Sequence, residues 1–273
     1  MGAGIAQVCS QAGFQVSMRD IEQRFVDGGF RRIREPLTKR VEKGKMTREE
    51  LERIVGNIHG TTSVAEAAKG AQVVIEAVVE DMATKQAVFR EVDQLCPPEV
   101  VFASNTSSLS ITEMASATGR PDRVVGMHFF NPAPVMKLVE VIRGSETSDE
   151  TFGFARELAV KLGKEPVDVK EAPGFVVNRL LVPMMNEAFN LLQEGVATAE
   201  DIDKAMRLGT NLPMGPLELA DYTGLDVGLA VMEVLHRETG DPKFRPSPLL
   251  RKMVRAGRLG RKTGRGVYDY GGT

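Results

Sequence analysis

The sequence predicts an α/β fold, a doubly wound sheet of short strands and helices, followed by an all-α C-terminal domain. Three observations predict it. Short β-branched runs recur through residues 1–172, several without polar alternation, as strands buried on both faces require. Charged, helix-like stretches separate them, and that alternation is the pattern of a parallel sheet covered on both sides. After "EAPGFVVNRLL" (171–181) the strand signals stop and only helical ones remain. The chain has 273 residues, enough for two domains with substantial cores.

The chain opens "MGAGIAQVCSQAG". Gly2, Ala3 and Gly4 start a helix with Ile5, Ala6, Val8 and Cys9 on its inner side, and Gly13 closes it. A strand (14–18) and Asp20 follow. Helix, strand and acidic residue in this order form the back half of a Rossmann βαβ unit, whose G-x-G-x-x-G fingerprint leads from a first strand into a helix. Here the first strand and first two glycines are missing, and Gly2 stands at the third. Without that central strand its two neighbours lose backbone partners. The sequence therefore predicts a chain that begins upstream, with Met1 internal to a G-x-G-x-M-G turn. Asp20 stands where an acidic residue bonds an adenosine ribose 2'-hydroxyl and repels a 2'-phosphate. Arg19 and Arg24 flank it.

A long charged helical arm follows, about 21–55. It breaks near "KGKMT" (43–47), where Thr47 and Glu50 form a capping box. Strands are predicted at 71–78, 100–105, 123–130, 137–142 and 165–169, and helices at 83–95 and 149–162. Pro173 and Gly174 mark a junction and a helix start, which divides the chain into 1–172 and 173–273. In the second part "RLLVPMMNEAFNLLQEG" is apolar on one side and stops at Gly195. "TAEDIDKAMRLG" opens with Thr198 and Asp201 as a second capping box, and two more helical stretches follow. Such apolar helices call for a covering partner, so a homodimer through this domain is expected.

The bulk properties exclude several classes. A net charge of -2 gives no electrostatic footing for nucleic acid or an acidic membrane. Cys9 and Cys96 make neither a disulfide framework nor a metal-ligand cluster, so no metal and a reducing, cytoplasmic setting are expected. No apolar run reaches the ~18 residues of a membrane span. The N-terminus lacks the basic and apolar regions of a signal peptide, and Ala6 stands where a myristoylation motif needs Ser or Thr.

Of three histidines, His59 lies in a turn-like "NIHGTT" and His236 among exposed residues of a late helix. Both read as solvated. His128 ends a buried-looking strand, "VVGMHFFNP", and is either a core histidine bonded to backbone or a general base. Glu140 interrupts "KLVEVI". A Glu there ordinarily marks an exposed sheet face, but "NPAPVM" is a short proline-bearing turn that lets the two strands fold back as neighbours. Glu140 then comes within reach of His128, and a carboxylate on one imidazole nitrogen fixes the tautomer and stabilises the imidazolium. "SNTSS" (104–108) follows a strand at the carboxyl edge where such sheets bind ligands; an ordinary polar loop is the other reading. Asn131 and Asn178 complete the polar set.

Taken together, "MGAGIAQVCSQAG", "VIEAVVED", "SNTSSLSI", "GMHFFNPAPVMKLVEVI", "EAPGFVVNRLL", "NLPMGPLELAD" and "GRKTGRGVYDY" resemble the 3-hydroxyacyl-CoA dehydrogenase family, its bacterial 3-hydroxybutyryl-CoA members above all. The likeness runs the length of the chain in the expected order. It implies NAD as cofactor and an acyl-CoA substrate. It implies that His128 takes the proton of the substrate 3-hydroxyl, paired with Glu140, and that Ser107 and Asn178 hold the substrate. Gly2, Asp20, Glu80, Lys85, Ser107, Asn131 and Lys262 match positions near the cofactor, and Lys43 a CoA contact. The incomplete glycine fingerprint leaves one other reading, a homologue that binds or scaffolds without turnover.

Overall fold

The computed structural model describes residues 1–271 and begins on helix α1 (Gly2–Gln11). Strand β1 (Val16–Arg19) follows, then the arm of α2 (Gln23–Glu42) and α3 (Arg48–Gly56), then β2 (Ile58–Thr61), α4 (Val64–Ala68) and β3 (Val73–Glu76). The remaining elements of this part are α5 (Met82–Leu95), β4 (Val101–Ser104), α6 (Ile111–Ala115), β5 (Val124–Phe129), β6 (Leu138–Arg143), α7 (Asp149–Lys161) and β7 (Glu165–Lys170). The arm starts at Gln23 and breaks after Glu42, within the segment expected, into two helices. Thr47 caps α3 by accepting the Glu50 amide while the Glu50 carboxylate returns to the Thr47 amide.

The strands form two sheets. β1 and β2 pair in parallel, and the second sheet has the order β3-β4-β5-β6-β7. β3-β4, β4-β5 and β6-β7 are parallel, and β5 and β6 are antiparallel, the fold-back that the short "NPAPVM" turn predicts. The reading of His59 is corrected: it lies in β2, not in a turn. Gly60 beside it lets the strand approach α2, since a Cβ there would sit 2.6 Å from Phe30 and Val26 side-chain atoms. α1 joins the two sheets. Ile5 and Val8 pack with Val101, Val125, Met127 and Val141, whereas Ala6 packs with Ile33, Leu37 and Ile54 of the arm. β1 and β3 each pair on one side only among the described residues.

The chain divides into two compact units, the second beginning at Ala172. This unit is helical: α8 (Val177–Glu194), α9 (Ala199–Thr210), α10 (Pro216–Thr223), α11 (Leu225–Thr239) and α12 (Pro248–Arg255). α8 starts at Val177, later than Pro173, because Gly174 and Phe175 both adopt positive φ and form a turn first. Its core gathers Met185, Phe189, Leu217, Leu225, Met232 and Leu235. Two buried carboxylates tie down the C-terminal segment. Asp221 accepts the Val267 and Tyr268 amides, and Asp203 accepts the Leu217 and Glu218 amides and the Tyr268 hydroxyl. No helix among the described residues is long and apolar enough to cross a membrane.

Candidate active site

The reversal between β5 and β6 sets the centre of the site. In its register His128 lies directly opposite Glu140, so both side chains leave the sheet on the same face. His128 Nδ1 is 2.7 Å from Glu140 Oε2. Their residues are 6% and 0% exposed; Glu140 therefore belongs to the core and not to a solvated sheet face. The Phe130 ring packs on the imidazole at 4.5 Å between centroids. A carboxylate on Nδ1 holds the ring orientation and fixes its tautomer.

The loop after β4 lies beside this pair. Asn105 Oδ1 accepts the Phe129 amide at 2.9 Å, which ties the loop to the residue following His128. Ser107 is half-buried, and Glu80 gathers the loop around it. Glu80 Oε1 accepts the Thr106 hydroxyl (2.7 Å), the Ser107 amide (2.7 Å), the Ser107 hydroxyl (3.0 Å) and the Ser108 amide (3.1 Å). Its other oxygen, Oε2, is 3.2 Å from Lys85 Nζ. Burial alone would push the Glu80 carboxyl up. The Lys85 ammonium, the Thr106 hydroxyl and the Ser107 amide outweigh it and hold the group below the usual carboxylate range.

Asn131 stands at the mouth of the β5–β6 turn, with a cis bond to Pro132. Lys164, 8% exposed, clamps this turn by donating to the carbonyls of Ala133 (2.5 Å) and Met136 (2.8 Å). Burial holds its ammonium below the ordinary lysine range. The start of α1 meets the end of β3, where a Cβ on Gly2 would lie 3.8 Å from Ala77 Cβ. No side chain caps α1, and its first turn carries no acid, so its leading amides suit an anion. Asp20 directly follows β1, with Oδ1 accepting the Ile21 amide at 2.8 Å.

Residues 1–172 match the family model for the 3-hydroxyacyl-CoA dehydrogenase NAD binding domain, and residues 174–270 match that for the C-terminal domain. The chain belongs to the 3-hydroxyacyl-CoA dehydrogenase family. It is 53% identical to the probable 3-hydroxybutyryl-CoA dehydrogenase of Bacillus subtilis, over 99% of this chain and 94% of the relative. It is 52% identical to the 3-hydroxybutyryl-CoA dehydrogenase of Clostridioides difficile, over 99% and 96%. Among solved structures it superposes on (S)-3-hydroxybutyryl-CoA dehydrogenase PaaH1 from Ralstonia eutropha with a TM-score of 0.95 at 50% identity, covering 100% of this chain and 96% of that one.

As a 3-hydroxyacyl-CoA dehydrogenase the chain is an NAD-dependent oxidoreductase, and the residues present fit that cofactor. An uncapped helix start suits a pyrophosphate, and an acidic residue closes the following strand. The structure brings His128, Glu140, Ser107, Glu80, Lys85 and Asn105 together within the first unit. Lys43 is exposed at the end of α2. Asn178 and Lys262 belong to the helical unit. Asn178 is the second residue of α8 and half-buried, and Lys262 Nζ is ion-paired with Asp226 at 2.7 Å. Reading the sequence alone finds the 104–108 loop but misses Glu76 and Lys164. A signal for Glu76 existed: it is a carboxylate closing an apolar strand, nine residues before a lysine on the next helix.

Proposed function

We propose that this dehydrogenase interconverts (3S)-3-hydroxyacyl-CoA and 3-oxoacyl-CoA, with 3-hydroxybutyryl-CoA as the short-chain substrate. The buried His128–Glu140 pair carries this reading, and the names of the relatives at 52–53% identity support the substrate. NAD supplies the hydride acceptor for C3. As the hydride leaves, His128 Nε2 removes the proton of the 3-hydroxyl, and the C–O bond becomes a carbonyl. Glu140 keeps the Nδ1 proton in place and stabilises the imidazolium that forms. Ser107, its hydroxyl aimed by Glu80, holds the substrate oxygen and adjoins the nicotinamide. Asp20 binds the adenosine ribose and Gly2 sits at the pyrophosphate. Glu80, Lys85 and Asn131 line the cofactor, and Lys43 contacts CoA. Of the helical unit, Asn178 is assigned to the substrate and Lys262 to the cofactor.

The test is His128→Gln. Turnover of acetoacetyl-CoA with NADH should fall on the order of a hundredfold or more while NADH still binds, since general-base contributions are of that size. A variant keeping most of its turnover removes His128 from the mechanism, and a wild-type chain that binds no NADH favours a non-catalytic scaffold.

Two further parts belong to the same reading. The enzyme works as a cytoplasmic homodimer through its helical unit, whose exposed Leu180, Val196 and Leu208 are the apolar surface for a second copy. Asp20 selects NAD over NADP.

A further inference from the structure

Glu76 closes β3 and is 3% exposed. Its carboxylate takes Lys85 Nζ on both oxygens, at 2.9 and 3.1 Å. Oε2 also accepts the Ser104 hydroxyl at 2.6 Å, and Oε1 the Val78 amide at 2.6 Å. The Glu76 carbonyl accepts the Asn105 amide at 2.8 Å. Most of these partners lead onward into the site. Lys85, itself 1% exposed, reaches Glu80 at 3.2 Å. Ser104 Oγ accepts the Thr106 amide at 3.1 Å. Asn105 holds the Phe129 amide next to His128.

We propose that Glu76 is a positioning residue of the reaction: it anchors Lys85 so that Glu80 and the 105–108 loop present Ser107 to the reacting atoms. This rests on the reading above that Ser107 and Glu80 border substrate and cofactor. Two carboxylates flank one buried ammonium, and their tasks differ. Glu76, the more deeply buried, holds Lys85 bidentately. Glu80 shares Lys85 through Oε2 and spends Oε1 on the loop. Tying β3 to α5 does not need these charges, because a buried ion pair adds little over a well-packed apolar pair of the same volume. An apolar pair cannot, however, offer Glu80 an ammonium at a fixed point. Take away the Glu76 charge and Lys85 has one carboxylate left. It swings to Glu80, draws that side chain off the loop and releases the Ser107 hydroxyl from its aim. Displacements near one ångström at a reacting group cost up to about a hundredfold in rate.

The experiment compares wild type with Glu76→Gln, Lys85→Met and the double variant Glu76→Leu/Lys85→Met. NADH binding is read by fluorescence titration and turnover by NADH oxidation with acetoacetyl-CoA. Glu76→Gln should still bind one NADH per chain, with a weakened Kd because Lys85 and Glu80 border the cofactor, while kcat at saturating NADH falls about tenfold or more. A role confined to folding would lower the binding stoichiometry and kcat together, which overturns the proposal. So does an unchanged kcat. In the Lys85→Met background the Glu76 substitution should change kcat less than about twofold, because residues acting as a unit are not additive. A further tenfold loss there means Glu76 does not act through Lys85. If Glu76→Gln fails to fold, the comparison of Lys85→Met with the double variant decides alone. Ser107→Ala and Glu80→Gln run alongside. Full turnover in those two removes the parent reading of the site, whereas losses there beside a normal Glu76→Gln remove only the role of Glu76.

Discussion

Replacing Glu140 by Gln keeps the shape of the site and deletes one charge, so its cost can be worked from the geometry. With Nδ1 and Oε2 2.7 Å apart, the centres of the imidazolium and carboxylate charges are roughly 4 Å apart. At that separation and an effective dielectric near 20 their attraction is about 4 kcal/mol. Both groups are buried, so solvent screening removes little of it. The attraction exists only while the ring is charged, which on the proposed mechanism means in the transition state of hydroxyl oxidation and not in the resting enzyme. A Gln oxygen still accepts the Nδ1 proton, and that neutral bond returns about 1 kcal/mol. The difference, about 3 kcal/mol, corresponds to a loss on the order of a hundredfold in kcat. The Michaelis constants should move little, because the lost interaction is specific to the transition state. Steady-state oxidation of 3-hydroxybutyryl-CoA by Glu140→Gln, His128→Gln and the double variant measures it. The double variant should be scarcely slower than His128→Gln. A Glu140→Gln enzyme within about fivefold of wild type, or losses that simply multiply, would refute the argument that Glu140 works through His128.

Two other outcomes are expected. Asp20→Ala should raise the ratio of NADPH to NADH efficiency, mainly through the NADPH Michaelis constant; an unchanged ratio in steady-state kinetics means another group reads the ribose. Lys164→Met should cost about 2–4 kcal/mol, because the Ala133 and Met136 carbonyls lose their donor. That cost should grow at alkaline pH: burial holds the folded Lys164 below its ordinary 10.5, so the unfolded chain binds the extra proton and wild-type stability rises with pH up to that value. Urea denaturation of both proteins across that range checks it, and a constant difference refutes it.

The parts of this fold visible in the sequence are those with a local cause. Thr47 and Glu50 are three residues apart and cap α3 on their own. "NPAPVM" is too short for a crossover, so its flanking strands can only be antiparallel neighbours, and the approach of Glu140 to His128 follows. The parts not visible depend on distant residues. β2 looks like a turn because its four residues include a glycine, yet that glycine is what fits the strand beneath Phe30 and Val26. Glu76 and Lys85 sit on a strand and the next helix, where no single periodicity brings nine-residue spacing together. Lys164 clamps a turn some thirty residues back, and nothing in "LGKEP" announces it. Glu80 and Lys85 stand out only by resemblance to a family, not through their own neighbours.

The antiparallel step has a chemical consequence. Two side chains that share one proton must lie close together, and an antiparallel pair supplies that directly through cross-strand partners on one face. The register has to be held, because a slip of one residue would turn Glu140 to the other face of the sheet. Gly126 contributes to holding it. It lies two residues before His128, on the same face, and pairs with Ile142. A Cβ at 126 would sit 2.7 Å from Ile142 Cβ, so the absence of a side chain there lets Ile142 lie across the strand beside the His128–Glu140 pair. Val139 and Val141, on the opposite face, are both fully buried with Val125 and Met127 in the core below α1. Shifting β6 by one residue would exchange these valines with Glu140 and drive a carboxylate into that core. The apolar face thus fixes the register, and the register fixes the distance on which the proposed proton transfer depends.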